Sequence, residues 1–346
     1  MPNLFEPFSI RGMTLRNRIV VSSMCMYSAG EDACATDFHL VHLGSRAVGG
    51  AGLVMVEATS VESRGRLSLG DLGIYDDRHV EPLARVVRYV QSEGAKIGLQ
   101  LAHAGRKAWS SDKGQGPEQP VGPSPDPYTD GWAAPEALTI EGIRAQVDLF
   151  RDGARRALEA GFDSLEVHAA HGYLAHQFLS PLANFREDQY GGDLENRSRF
   201  LYEVVEAIRE VWPEDRPLGV RVSATDWIPG GWDIEQTVTL ARGLKPRGVD
   251  LIDCSSAGLS PLQQIPVGPG YLVPFAERVR DEAEIPTAAV GLITAPEQAD
   301  EIIRNGRADL VVMAREFLRD PYWPIHAAKT LGHEIEWPKQ YLLAKR

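Results

Sequence analysis

The sequence predicts an α/β fold, a (β/α)8 TIM barrel, and three observations carry the prediction. Eight short apolar runs recur along the 346 residues, segments of helical period separate them, and a glycine repeatedly stands just before the next run. The runs are Ile19–Val21, Leu53–Val56, Ile97–Leu101, Ser164–Val167, Leu218–Val222, Leu251–Ile252, Thr287–Val290 and Leu310–Val312. The clearest helix places Ile143, Val147, Phe150, Ala154 and Leu158 on one face at spacings of three and four. Gly94, Gly161, Gly248 and Gly306 supply the left-handed residue that commonly ends a helix. A doubly wound sheet is the competing arrangement, but it usually opens on a Gly-rich phosphate turn. No Gly-x-Gly-x-x-Gly occurs; Gly114-Gln-Gly116 lacks the third glycine and lies in a Pro-rich stretch.

Two elements go beyond the minimal barrel, and both are expected within a single domain spanning 1–346. Before the first run, Phe8 to Leu15 forms two alternating stretches around Arg11-Gly12, a hairpin suited to closing the barrel floor. After the third run, residues 108–138 are rich in Gly, Pro, Asp and Trp and read as an extended lid loop over the mouth.

Composition narrows the function classes. The chain carries 36 basic and 48 acidic residues, net charge −12, with no Lys/Arg block, so it lacks the positive surface that nucleic acid requires. Cys25, Cys34 and Cys254 form no Cys-x-x-Cys pair, which suits a reducing compartment rather than a disulfide framework. The first residues show no basic stretch followed by an apolar run, and no apolar segment reaches membrane-spanning length. A soluble, cytoplasmic protein is expected.

The chemistry concentrates in His168-Ala-Ala-His171-Gly-Tyr173, at the end of the fourth run. Two imidazoles and a phenol can grip and protonate an oxyanion. The same spacing also suits a metal pair or satisfied core histidines, so the cluster alone leaves three readings open. In a barrel, groups at the C-terminal strand ends share one cavity. They would comprise Ser22 to Tyr27, Glu57-Ala58, Gln100 with His103 and Lys107, the His-His-Tyr cluster, Arg221, Cys254 to Ser256, Gly291 and Arg315. Carboxylates in this set are few, which disfavours a zinc hydrolase, and no metal is expected. Gly291 and Arg315, past the seventh and eighth runs, suit a phosphate. Gln100 can both donate to and accept from an imide edge, and a buried Arg221 either stabilises a ring anion or forms an interior ion pair.

Taken in order, several motifs resemble the old yellow enzyme family of FMN ene reductases, in its thermophilic-like branch. They are Ser22-Ser-Met-Cys25-Met-Tyr27, Gln100-Leu-Ala-His-Ala-Gly-Arg-Lys107, His168 to Tyr173, Phe178 to Asn184 with Tyr190-Gly-Gly and Glu195-Asn-Arg197, and Ala314-Arg315-Glu316. The resemblance runs from Leu4-Phe5 to Gln340-Tyr341. It implies non-covalent FMN, reduced by NADPH or NADH, and then reduction of an activated alkene: an α,β-unsaturated carbonyl, a maleimide or a nitroalkene. It further implies that His168 and His171 bind the substrate oxygen, that Tyr27 adds a donor, and that Tyr173 delivers the proton. Ser22, Cys25, Ala58, Gln100, Arg221, Gly291 and Arg315 would hold the cofactor, with Lys107 nearby, in a homodimer or homotetramer. The absence of a dinucleotide-binding motif suits a ping-pong scheme.

Three positions depart from the branch: Ser23 replaces a usual proline, Ala314 a frequent glycine, and Leu343 an arginine that reaches a neighbouring subunit. Lys345 and Arg346 follow out of register. The rival readings are a zinc-dependent barrel hydrolase, a non-catalytic FMN-binding barrel, and a 2,4-dienoyl-CoA reductase, whose clustered cysteines this chain lacks.

Overall fold

The computed structural model describes residues 2–109 and 118–345, so Gly114-Gln-Gly116 and Arg346 lie outside the described residues. In chain order the strands are β1 (Phe8–Ile10), β2 (Met13–Leu15), β3 (Ile19–Val21), β4 (Leu53–Ser60), β5 (Lys96–Ala102), β6 (Val121–Gly122), β7 (Glu136–Ala137), β8 (Ser164–Ala169), β9 (Leu218–Ser223), β10 (Leu251–Ser255), β11 (Thr287–Ala289) and β12 (Leu310–Met313). The helices are α1 (Asp37–Val48), α2 (Val80–Ser92), α3 (Ile140–Ala160), α4 (Leu174–Leu179), α5 (Leu194–Val211), α6 (Ile234–Leu244), α7 (Val273–Ala283), α8 (Pro296–Arg304), α9 (Arg315–Arg319) and α10 (Trp323–Leu331). Each of the eight apolar runs becomes a barrel strand, and β3-β4-β5-β8-β9-β10-β11-β12 close on themselves with parallel pairing throughout.

The expected amphipathic helix is α3. Thr139 caps it by accepting the Gly142 N–H at 3.0 Å, and Gly161 ends it at φ +89°. Ile143, Phe150 and Ala154 are buried while Val147 and Leu158 lie at the margin of the face. Phe150 meets Phe200 of α5 edge to face at 6.4 Å, and Phe200 stacks on Phe178 of α4 at 4.5 Å. Each such ring removed from water contributes about 1.5–3 kcal/mol, which ties the helical layer to the barrel wall.

β1 and β2 form the expected hairpin, antiparallel with Phe8 opposite Leu15, and Arg11 takes φ +49° at its turn. Met13 and Leu15 pack against Val20, Leu53, Met55, Ala288, Leu310 and Val312, which seals the N-terminal end of the barrel with apolar side chains. The insertion after β5 contains the short parallel pair β6–β7. Its described part reaches the C-terminal end of the barrel: Asp126 pairs with Arg106, and the Tyr128 ring lies 4.5 Å from Lys107 Nζ. At the C-terminus, the Tyr341 hydroxyl lies 3.2 Å from that of Tyr322, while Leu342 and Leu343 are exposed.

Candidate active site

β8 runs straight into the turn that carries the His-His-Tyr cluster. His171 and Gly172 are both left-handed, at φ +58° and +73°, which reverses the chain sharply into α4. A Cβ at Gly172 would stand 2.2 Å from the Gly258 carbonyl oxygen, so the close approach of these two loops requires glycine. The turn is anchored from behind. His171 N–H donates to Ser223 Oγ at 2.9 Å, and Gly172 N–H donates to His176 Nδ1 at 2.9 Å. The fully buried His176 in turn faces Asp226 at 3.0 Å.

The imidazole tautomers follow from these contacts. Burial, then the nearby Arg221 cation, drives His168 well below its ordinary pKa, and burial with the Arg221 and His168 charges does the same to His171; both are neutral in the neutral range. His168 Nδ1 accepts from Ala170 N–H at 3.2 Å, so its proton sits on Nε2, which lies 3.3 Å from His171 Nδ1. His171 Nε2 in turn meets Ser255 Oγ at 2.7 Å. A serine hydroxyl can accept or donate. When it donates, the His171 proton moves to Nδ1, and two N–H groups converge on the point between the rings.

Tyr173 stands edge-on to His168, ring centroids 4.8 Å apart. Burial, then the neighbouring Cys25 and Tyr27, raises its phenol well above the usual value, so the hydroxyl keeps its proton. Lys107 caps this group. Its Nζ donates to the carbonyls of His171 (3.0 Å) and Gly258 (2.9 Å) and lies 5.2 Å from the Tyr173 ring. Burial and the Arg106 charge lower the ammonium to about 8.

The loop after β3 closes the opposite side. Cys25 and Tyr173 both pack on Leu67, Ala104, Ala108 and Trp109. The Cys25 sulfur is raised by burial, Asp71 and Glu57, against a hydrogen bond from the Ala58 backbone. Register slips between Val56 and Ala58 in β4, which sets that backbone apart from the regular ladder. Tyr27 adopts φ +53°, is 38% exposed, and is pushed up to about 12 by burial. Its position is open to an entering molecule.

Deeper in the mouth, Arg221 donates from Nη1 to Ser22 Oγ at 3.0 Å, and its Nε lies 3.3 Å from Asp253. The interior ion pair expected as one reading of Arg221 is present. Gln100 donates from Nε2 to Glu166 at 2.7 Å. At the ends of β11 and β12, Gly291 and Arg315 line one cavity of about 100 Å3, with Ala314 and Ser255 on its wall. Gly291 has φ +120°, and Arg315 is exposed without a hydrogen bond or ion pair among the described residues. These features fit FMN. A free guanidinium beside a glycine suits the phosphate, and the buried Ser23 Oγ has no hydrogen-bond partner of its own.

Two expectations need correction. His103 does not face the cavity: its Nε2 lies 3.1 Å from Glu62, and it belongs to the wall. Carboxylates are also less scarce than the strand ends suggested, because Glu57, Asp71, Glu166 and Asp253 are all buried around the mouth. Sequence reading passed over Glu166, Asp253 and the His176–Asp226 pair. The signal for the first two was a single carboxylate in the middle of an apolar strand. Among the described residues no group of three or more His, Cys, Asp or Glu could hold a metal ion.

A family model described as NADH:flavin oxidoreductase / NADH oxidase matches residues 3–334. The NADPH dehydrogenase of Geobacillus thermodenitrificans is 52% identical over 98% of this chain and 97% of its own. Among solved structures, morphinone reductase superposes with a TM-score of 0.83 at 30% identity, covering 98% of this chain and 92% of that one. A 2-naphthoyl-CoA reductase superposes at 0.89 with 27% identity over 96% of this chain, which spans 52% of that longer protein. With these matches over nearly its whole length, the chain belongs to the NADH:flavin oxidoreductase family of old yellow enzyme type, with FMN as its cofactor.

Proposed function

We propose that this flavin oxidoreductase is an NADPH- or NADH-dependent ene reductase that reduces activated alkenes: α,β-unsaturated carbonyls, maleimides and nitroalkenes. The observation that carries the reading is the pairing of two neutral imidazoles with a protonated, buried phenol on one turn. FMN, when bound, would relay hydride from the nicotinamide to the alkene β-carbon. Gln100, Arg221, Ser22, Cys25 and Ala58 would hold its ring system, and Gly291 and Arg315 its phosphate.

The residues of this chain do the rest. His168 Nε2–H turns from His171 to the substrate carbonyl or nitro oxygen, and Ser255 releases a second N–H from His171 to the same oxygen. Neutral donors suit this task because the negative charge develops only as hydride arrives, so the transition state gains more than the ground state. Tyr173 then gives its proton to the α-carbon, and Tyr27 adds a donor at the open side. Nicotinamide and alkene use one cavity in turn, a ping-pong cycle. Cytoplasmic location and assembly into homodimers or dimer-built tetramers complete the proposal. The aliphatic Leu343 argues against an ionic contribution of the tail to a neighbouring site.

The test is Tyr173→Phe with the two half-reactions followed separately under anaerobic conditions. Flavin reduction by the nicotinamide should be unchanged, while flavin reoxidation by an enone should slow by about 10²–10⁴-fold, the usual worth of a positioned acid. Unchanged reoxidation would remove Tyr173 as the proton donor, and wild-type protein that takes up no FMN would end the reading altogether.

A further inference from the structure

Behind the mouth lies a buried polar group that the proposed cycle does not use. Glu166 sits in the middle of β8, two residues before His168 and therefore on the same inward face. It stands directly opposite Gln100 in the β5–β8 register, just as Asp253 stands opposite Arg221 between β10 and β9. The contacts follow the register. Gln100 Nε2 donates to Glu166 Oε1 at 2.7 Å, and Arg221 Nε lies 3.3 Å from Asp253 Oδ2. Glu166, Asp253, Ser22, Ser23 and Ser164 line one interior cavity of about 40 Å3, whose remaining wall is largely apolar and ends at Ile10 and Met13 of the floor hairpin. Asp253 Oδ1 is buried there without a partner.

Two carboxylates and one guanidinium are thus buried close together. Arg221 balances one negative charge; a second, uncompensated one would be costly there. We propose that Glu166 and Asp253 act as a one-proton carboxyl pair behind the pyrimidine edge of FMN, in which the protonated Glu166 orients Gln100 while ionised Asp253 offsets Arg221. Glu166 is thereby a positioning residue. By taking the Gln100 amide N–H, it leaves Gln100 Oε1 as the atom that faces the cofactor, which suits the flavin N3–H. Asp253 holds the Arg221 side chain so that Nη1 reaches Ser22 and the plane of the guanidinium stays fixed.

The titration behaviour agrees. Burial, then the Asp253 charge, raises Glu166 to about 8, against the lowering effects of Arg221 and Gln100, and burial also raises Asp253. Asp253 from β10 and Arg221 from β9 are the charged groups facing Glu166. β5 presents Gln100, the end of β3 presents Ser22 and Ser23, and the own strand presents Ser164 and, toward the mouth, neutral His168. A carboxyl whose folded-state pKa lies above its unfolded value contributes stability that is present at low pH and lost as pH rises from the ordinary glutamate range through about 8.

The experiment measures FMN affinity by fluorescence quenching, with the flavin visible spectrum as a second readout, from pH 6 to 9 for wild type, Glu166→Gln and Glu166→Leu. The inference rests on FMN binding itself, so the wild-type titration separates the two: no binding overturns both readings. Glu166→Gln keeps an acceptor for Gln100 and cannot ionise. It should bind FMN like wild type at pH 6 and lack the loss of affinity that wild type shows as pH passes about 8. Glu166→Leu should weaken FMN binding about tenfold, the scale of one hydrogen bond to an oriented group. If Glu166→Gln shows the same pH dependence as wild type, the pair does not carry that proton and the proposal fails. If Glu166→Leu folds and binds FMN with unchanged affinity and spectrum, Glu166 does not position Gln100. Should Glu166→Leu fail to fold, the Glu166→Gln comparison decides alone.

Discussion

The two ends of the same barrel differ in what their inward-facing side chains do. At the floor, Val20, Leu53, Met55, Leu310 and Val312 close on Met13 and Leu15 of the hairpin, an apolar plug. At the C-terminal ends of the strands stand Ser22, Ala58, Gln100, His168, Arg221 and Ser255, most of them held by hydrogen bonds and ion pairs. β3 shows the change along one strand: Val20 packs in the floor cluster, while Ser22 two residues later meets Arg221. The lesson is a division of labour. The floor supplies stability through non-directional packing, and the mouth holds polar groups in directions that a bound molecule can use.

The sharpest way to break this comparison is Arg221→Ala. Removing the cation leaves Asp253 buried and unpaired, so the variant should lose about 3–5 kcal/mol of stability, read from denaturant midpoints, together with its bound flavin. Unchanged stability would mean that the mouth does not depend on its charge pairing. Next in size is Leu15→Ala at the floor, where a fully buried side chain is cut back. About 2–5 kcal/mol should be lost, but turnover per folded, flavin-loaded molecule should stay as in wild type. A fall in turnover would show that floor packing and mouth geometry are coupled. The smallest effect is expected for Ser255→Ala, which removes the hydroxyl that lets His171 present Nδ1–H. Binding of a phenolate, measured calorimetrically, should weaken about tenfold with little change in thermal stability. Equal affinity would remove His171 as a second imidazole donor to the oxygen.

The barrel was legible because its signals are local. Eight apolar runs, helical periodicity and the glycines Gly161 and Gly248 mark element ends without knowledge of what packs against them. Most strands run further than their apolar runs, as in β4, where polar Glu57, Thr59 and Ser60 extend the ladder beyond Val56. The His168-His171-Tyr173 cluster was legible too, because its members are adjacent in sequence and chemically distinctive. His103 was misplaced because a residue at a strand end can turn sideways, and its partner Glu62 comes from a separate loop.

The sequence by itself determined the (β/α)8 class, the floor hairpin, the cluster on the fourth strand and the family to which the motifs belong. Tertiary structure alone decided that Glu166 meets Gln100, that Asp253 meets Arg221, that Ser255 meets His171 and that Lys107 covers Tyr173. The physical reason is one of range. Periodicity and turn chemistry act over a few residues, whereas the protonation states that make this site work arise from burial and from charges that meet only when distant strands close into a barrel.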